Sequence, residues 1–144
     1  MLLCLTAPGR ATISRVTPMD PIGHVEVVRF AVRPNPLIAT PPADTLGSDF
    51  GSLADGGFTT NATVDQACGD DKHGYGSELG LELVVPADEN AVAHGWRIDY
   101  QADGDAGSTT FPLTVVLCST PDADADAPAC HTLENPGRAR LIVG

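Results

Sequence analysis

Between Phe58 and Cys118, four short apolar runs alternate with polar residues at a period of two, separated by clusters of Gly, Asp and Asn. Such alternation sends every second side chain to one face, which is the pattern of half-buried strands and not of amphipathic helices. The clearest run places Leu79, Leu81, Leu83 and Val85 opposite Glu78, Gly80, Glu82 and Val84, and Pro86 ends it. His94, Trp96, Ile98, Tyr100 and Ala102 share a second face; Phe111, Leu113, Val115 and Leu117 share a third. The weakest run groups Phe58, Thr60, Ala62, Val64, Gln66 and Cys68. Ala102 to Ser108 carries an Asp-Gly turn signal, with Asp103 and Asp105 as turn formers around Gly104. The three strong runs read as one meander whose apolar face requires a second layer, with Leu81, Leu83, Trp96, Ile98, Leu113, Val115 and Leu117 in a common core.

A further strand is expected from His24 to Arg33. Val25 and Val27 share one parity, and Val28, Phe30 and Val32 the other. That switch predicts a β-bulge at Val27 and Val28, the alternative being a strand buried on both faces. Pro34 and Pro36 stop the strand, since neither can donate to a ladder. From Pro34 to Gly57 the chain then carries four prolines and four glycines with scattered apolar residues, a length of loop that is usually functional. Residues 1–21 lack periodicity and read as a leader or flexible arm. Met1 to Gly9 resembles the tail of a signal peptide without its charged start, the other reading being a frayed apolar N-terminus. Residues 22–144 then form one domain, with a flexible acidic segment at 119–129. No run approaches the roughly 18 apolar residues that span a bilayer, so no transmembrane span is expected.

These observations define an all-β chain with a single-domain antiparallel β-sandwich as its expected fold. The spacing of strands and turns resembles immunoglobulin-like and fibronectin-like modules, in architecture alone. Trp96 lies between Cys68 and Cys118 but close to the second, which departs from the antibody arrangement.

Charge narrows the partners. Nineteen acidic residues face eight basic ones, for a formal net charge of -11, and the single lysine, Lys72, follows Asp70 and Asp71. Nucleic-acid binding requires clustered Lys and Arg that release counterions, and this chain lacks them. Four cysteines in a chain with few aromatic residues predict disulfide bonding outside the reducing cytosol. With Cys4 assigned to the arm, one bridge is expected among Cys68, Cys118 and Cys130. Cys118 to Cys130 is preferred because a short loop closes cheaply, and Cys68 to Cys118 follows. No CxxC pair is present to build a zinc site.

Asp122, Asp124 and Asp126 are weak candidates for a hard cation: the stretch departs from a calcium loop at Ala127, where Gly is needed, and at Leu133, where the bidentate Glu would stand. Cys118, followed by Ser119, Thr120 and Pro121, resembles the copper cysteine of a cupredoxin, yet only His131 follows it and no Met does. No cofactor is therefore expected, and no strained-turn nucleophile motif is present. Tyr75, between Gly74 and Gly76, combines contact area with a hydrogen-bonding tip, and with His73 it forms the candidate recognition pair. Asn61, Ala62 and Thr63 match a glycosylation sequon, relevant in a eukaryotic secretory host. The sequence-based expectation is a secreted or cell-envelope, non-catalytic module for binding or structural display, with a protein or glycan partner. Its rival is a small extracytoplasmic enzyme, or a calcium- or copper-binding domain, on the same scaffold.

Overall fold

The computed structural model describes residues 1–34, 52–69, 76–87, 89–117 and 140–141. These residues form strands and turns with no helix, and the sheets are antiparallel, one of them curled. Leu2–Leu3 (β1), Ser77–Val84 (β5) and Glu26–Pro34 (β3) make one sheet in the order β1-β5-β3. Thr63–Val64 (β4), Ala11–Met19 (β2), Gly95–Ala102 (β7) and Asp105–Phe111 (β8) make a second, in the order β4-β2-β7-β8. The third joins Arg140–Leu141 (β10), Val115–Leu117 (β9) and Ala91–Ala93 (β6).

One apolar cluster draws on all three sheets, with Ile13, Val32, Leu79, Ala93, Trp96 and Val115 among its members. Trp96 is fully buried, and its indole N–H donates to the carbonyl of Leu113 at 3.0 Å, which satisfies the one polar atom that its burial would otherwise strand. Five of the seven expected core residues, Trp96, Ile98, Leu113, Val115 and Leu117, belong to this cluster, while Leu81 and Leu83 are half-buried and pack against it.

The switch of parity in β3 is a bulge. Val27 pairs with Leu83 and Arg29 with Glu82, so Val28 is the extra residue, and it is 48% exposed. The Asp-Gly turn is tighter than the composition of 102–108 implies: Ala102 pairs directly with Asp105, and Asp103 and Gly104 alone form the loop, both with positive φ. Two consecutive left-handed residues are what a type I′ hairpin requires, and Gly104 takes the second position without a Cβ penalty.

Four expectations are corrected. Residues 1–21, read as a leader or arm, contain β1 and β2, and β2 lies between β4 and β7. The run from Phe111 to Leu117 is two strands, because Pro112 interrupts the ladder; Phe111 ends β8, and β9 joins a different sheet. The meander therefore does not form, since β5 pairs with β1 and β3 while β7 pairs with β2 and β8. The run from Phe58 to Cys68 contracts to the two residues of β4.

The bulge makes a contrast that chemical denaturation can read. Val28→Thr should change stability by less than about 0.5 kcal/mol, as an exposed substitution does. Val32→Thr, two turns of alternation away and 2% exposed, should cost about 1–3 kcal/mol by burying an unpaired hydroxyl. Equal costs at the two positions would contradict the register shift.

Candidate functional site

Among the described residues, two strands have an edge without a full partner. β2 is paired along its whole length with β7, but on its other side only Ala11 and Thr12 pair with β4, and the N–H of Ile13 donates to Ala62 O at 2.9 Å. β3 is paired with β5, and on its other side the N–H of Val32 donates to Asn61 O at 2.6 Å. The segment Asn61 to Val64 thus joins the two edges at one end. Beyond it lies a groove of about 800 Å³, walled by β2 from Ser14 to Pro18 and by the β3 side from His24 to Ala31.

The backbone groups that face this groove follow from alternation. In β2, Ile13 faces away from β7, and Met19 O accepts from His94 N at 3.2 Å on the opposite side. With one extra residue between Ile13 and Arg15, Val16 and Pro18 also turn away from β7. This is where a proline fits, because its missing donor faces the unpaired side. In β3, Val32 faces outward, so Phe30 does as well, and beyond the bulge Val27 does too. No backbone hydrogen bond from the described residues reaches Val16, Val27 or Phe30 on that side.

The groove floor is apolar: Val16, Val25, Ala31 and Phe58 are buried, and Val27, Phe30 and Leu53 are half-buried. Its far wall is a compact turn. Asp55 N donates to Ser52 Oγ at 3.2 Å, Gly57 N to Ala54 O at 2.9 Å, and Phe58 N to Leu53 O at 2.9 Å. Arg33 fastens that turn to the sheet. Its guanidinium contacts Glu78 Oε2 at 2.7 Å, donates to Gly56 O, and lies 4.4 Å from the centre of the Phe58 ring. Glycine at position 80 permits the fit, since a Cβ there would come within 2.7 Å of Leu53 and 2.8 Å of Phe58.

Four ionisable groups line the groove: Arg15, His24, Glu26 and Arg29, all exposed. Arg33 pairs with Glu78 and Arg97 with Asp99, whereas Arg15 and Arg29 form no ion pair among the described residues. Two cationic groups and one carboxylate give this surface a local sign opposite to the chain's net charge of -11.

Cys4 and Cys68 form a disulfide, with Cα atoms 5.0 Å apart. Cys68 is therefore bridged, but to Cys4 rather than to Cys118 or Cys130. Assigning Cys4 to an arm removed the correct partner, 64 residues away in sequence, from consideration. Beside the bridge, Leu5 N donates to Gln66 O at 2.9 Å and Cys68 N to Leu5 O at 2.7 Å, so the crosslink closes a contact that the backbone also makes.

Tyr75, His73, Cys118, Cys130 and the carboxylates Asp122, Asp124 and Asp126 lie outside the described residues. Of the Pro34 to Gly57 loop, Pro34 and residues 52–57 are described; Pro34 ends β3, and Leu53 and Ala54 line the groove. Among the described residues no three His, Cys, Asp or Glu side chains converge, and no helix is long and apolar enough to cross a membrane. Asn61 of the sequon is exposed, with its side chain closing a local turn: Thr63 N donates to Asn61 Oδ1 at 3.0 Å. The groove itself was missed because β2 fell in the segment read as an arm. Ala11, Ile13 and Val16, an alternation broken once by a bulge, are the signal that could have revealed it. Comparison with protein-family models, with curated proteins and with solved structures returns no match.

Two stability outcomes follow. Cys4→Ser should cost roughly 4 kcal/mol through loss of loop-closure entropy. Its melting temperature should fall by about 10 °C, and reductant should lower that of the native protein to a similar value. Glu78→Ala, which removes the carboxylate paired with the largely buried Arg33 guanidinium, should cost about 3–5 kcal/mol. Denaturant titration that places either loss below about 1 kcal/mol would remove the corresponding bond from the account of the groove's support.

Proposed function

We propose that this chain is a non-catalytic binding module of the β-sandwich type, secreted or held in the cell envelope, and that its ligand lies in the groove between the open edges of β2 and β3. The observation that carries the reading is the groove itself, about 800 Å³ with an apolar floor and a rim of charged and hydroxyl side chains, a volume within the range of ligand sites. A shared core built from all three sheets supports the layered arrangement, and an immunoglobulin-like order of strands remains part of the proposal. The disulfide supports an oxidising compartment, because such bonds persist outside the reducing cytosol. Edge backbone without a partner among the described residues, beside apolar side chains, favours a polypeptide ligand over a glycan, since a polypeptide can pair with a strand edge.

The reading is tested by selecting binders from a displayed random-peptide library on the disulfide-bonded protein. Thr60, an exposed residue on the groove lining, is then replaced by Trp to fill it. Selected peptides should lose at least about tenfold in affinity for Thr60→Trp while the melting temperature stays within a few degrees, since a surface change is nearly neutral for folding. Peptides that bind the filled variant as well as the native protein would place the site elsewhere, and a library that yields no binder would count against a peptide-binding groove.

A further inference from the structure

We propose that the Cys4–Cys68 bridge is a thiol–disulfide exchange site for a dithiol reductant, and that its reduction releases β1 from β5 while the shared core stays folded. The site is separate from the groove and does not depend on what the groove binds. Its accessibility follows from alternation. Met1, Leu3 and Leu5 turn inward and pack against the core, so Leu2, Cys4 and Thr6 turn outward, and all three are exposed. Cys68 is exposed as well. A disulfide between two exposed cysteines is open to an attacking thiolate without prior unfolding, and bridges of that kind are the labile ones.

The exchange balances as follows. One thiolate of the reductant bonds to a sulfur of the bridge, the S–S bond breaks, and the other cysteine leaves as a thiolate that takes up a proton. The reductant's second thiolate then attacks the mixed disulfide and frees the remaining cysteine. Two electrons pass to the bridge, the dithiol departs as a disulfide, and its two protons end on Cys4 and Cys68.

What the bridge holds in place is a short segment with its own hinge. β1 pairs with β5 through Leu2 opposite Glu78 and Leu3 opposite Ser77. Met1 N donates to Leu79 O at 2.9 Å, and Leu79 N donates to Met1 O at 2.7 Å. Beyond β1, Leu5 forms an isolated bridge to Ala67, with Leu5 N donating to Gln66 O and Cys68 N to Leu5 O. The next five residues, Thr6 to Arg10, are all exposed, and β2 begins at Ala11. Residues 1–5 can therefore turn away about 6–10 without moving β2, which stays paired with β7 along its length. None of Met1, Leu3 and Leu5 belongs to the fully buried cluster that they cover, so their departure leaves that cluster assembled. It does uncover the side of β5 where Ser77, Glu78 and Leu79 are now buried. A segment at a strand's edge with so few bonds is drawn from the low-stability end of a fold once its crosslink is gone.

The probe is dithiothreitol, added to the full chain in native buffer well below its melting temperature. Three readouts follow it: alkylation mapped by mass spectrometry, the emission of Trp96, which is the single tryptophan and fully buried, and amide hydrogen exchange. Cys4 and Cys68 should become alkylated while Trp96 emission stays unchanged. Exchange at the amides of Leu79, Leu5 and Cys68, each bonded across the clasped segment, should accelerate by at least about tenfold, and the β7 amides should keep their protection. The double substitution Cys4→Ser with Cys68→Ser should reproduce that exchange pattern without reductant, and Cys118→Ser with Cys130→Ser should leave the response to dithiothreitol intact. Cysteines 4 and 68 that resist the reductant until denaturant unfolds the chain overturn the exchange site. Unchanged exchange at Leu79 after reduction overturns the release of β1. A red shift of Trp96 emission on reduction, or failure of the Cys4→Ser, Cys68→Ser chain to fold, makes the bridge a staple of the whole fold and overturns the proposal, as does loss of the response in the Cys118→Ser, Cys130→Ser chain.

Discussion

A buried charge must be paired, and the pair formed by Arg33 and Glu78 organises the groove side of this molecule. Glu78 is 3% exposed, and leaving its carboxylate without a partner would cost several kcal/mol. Arg33 meets that demand from the neighbouring strand, because the register of β3 against β5 sets the two residues directly opposite each other. The same guanidinium has donors to spare. It spends one on Gly56 O and covers the Phe58 ring, so the turn 52–58 is held to the sheet by the group that neutralises Glu78. The ladder, the turn and the apolar wall are therefore not separate elements of stability. Whatever shifts β3 relative to β5 withdraws Arg33 from all of them.

Trp96 acts in a comparable way for the interior. Its ring belongs to the sheet of β2 and β7, and its N–H reaches Leu113, just beyond the proline that sends the chain from β8 to β9. One hydrogen bond thus ties the core residue of one sheet to the crossover leading into another. With Leu79 and Val32 from the first sheet in the same cluster, a modest set of aliphatic side chains and one indole serve three sheets at once. That economy suits a chain with only 5% aromatic residues.

What was legible in the sequence was whatever depended on neighbours in sequence. Period-two alternation identified β5 and β7 as strands, the Asp-Gly pair marked the hairpin at Asp103 and Gly104, and the parity switch at Val27 and Val28 located a bulge. Alternation says which face a residue takes but not which strand lies beside it, so the pairing of β5 with β3 rather than β7 was invisible. Pro112 was the available warning that Phe111 and Val115 belong to different strands, and the continuing alternation masked it. The groove was illegible for a further reason. It lies where β2 and β3 lack a partner among the described residues, and such an edge leaves no mark in the residues that carry it beyond a tolerated Pro18 and two bulges.

Those bulges bear on why the edges stay open. A long flat edge invites pairing with other chains, and a bulge that increases local twist is a common way to prevent it. Here both edges carry one, at Ser14 and at Val28, and both line the groove. Two twisted edges facing each other across an apolar floor resist pairing with a flat sheet from outside. At one end Asn61 to Val64 bonds to both edges, and the chain running on from this wedge is clamped at Cys68 to Cys4. The crosslink is thus placed to hold the spacing of the two edges as well as the N-terminal strand.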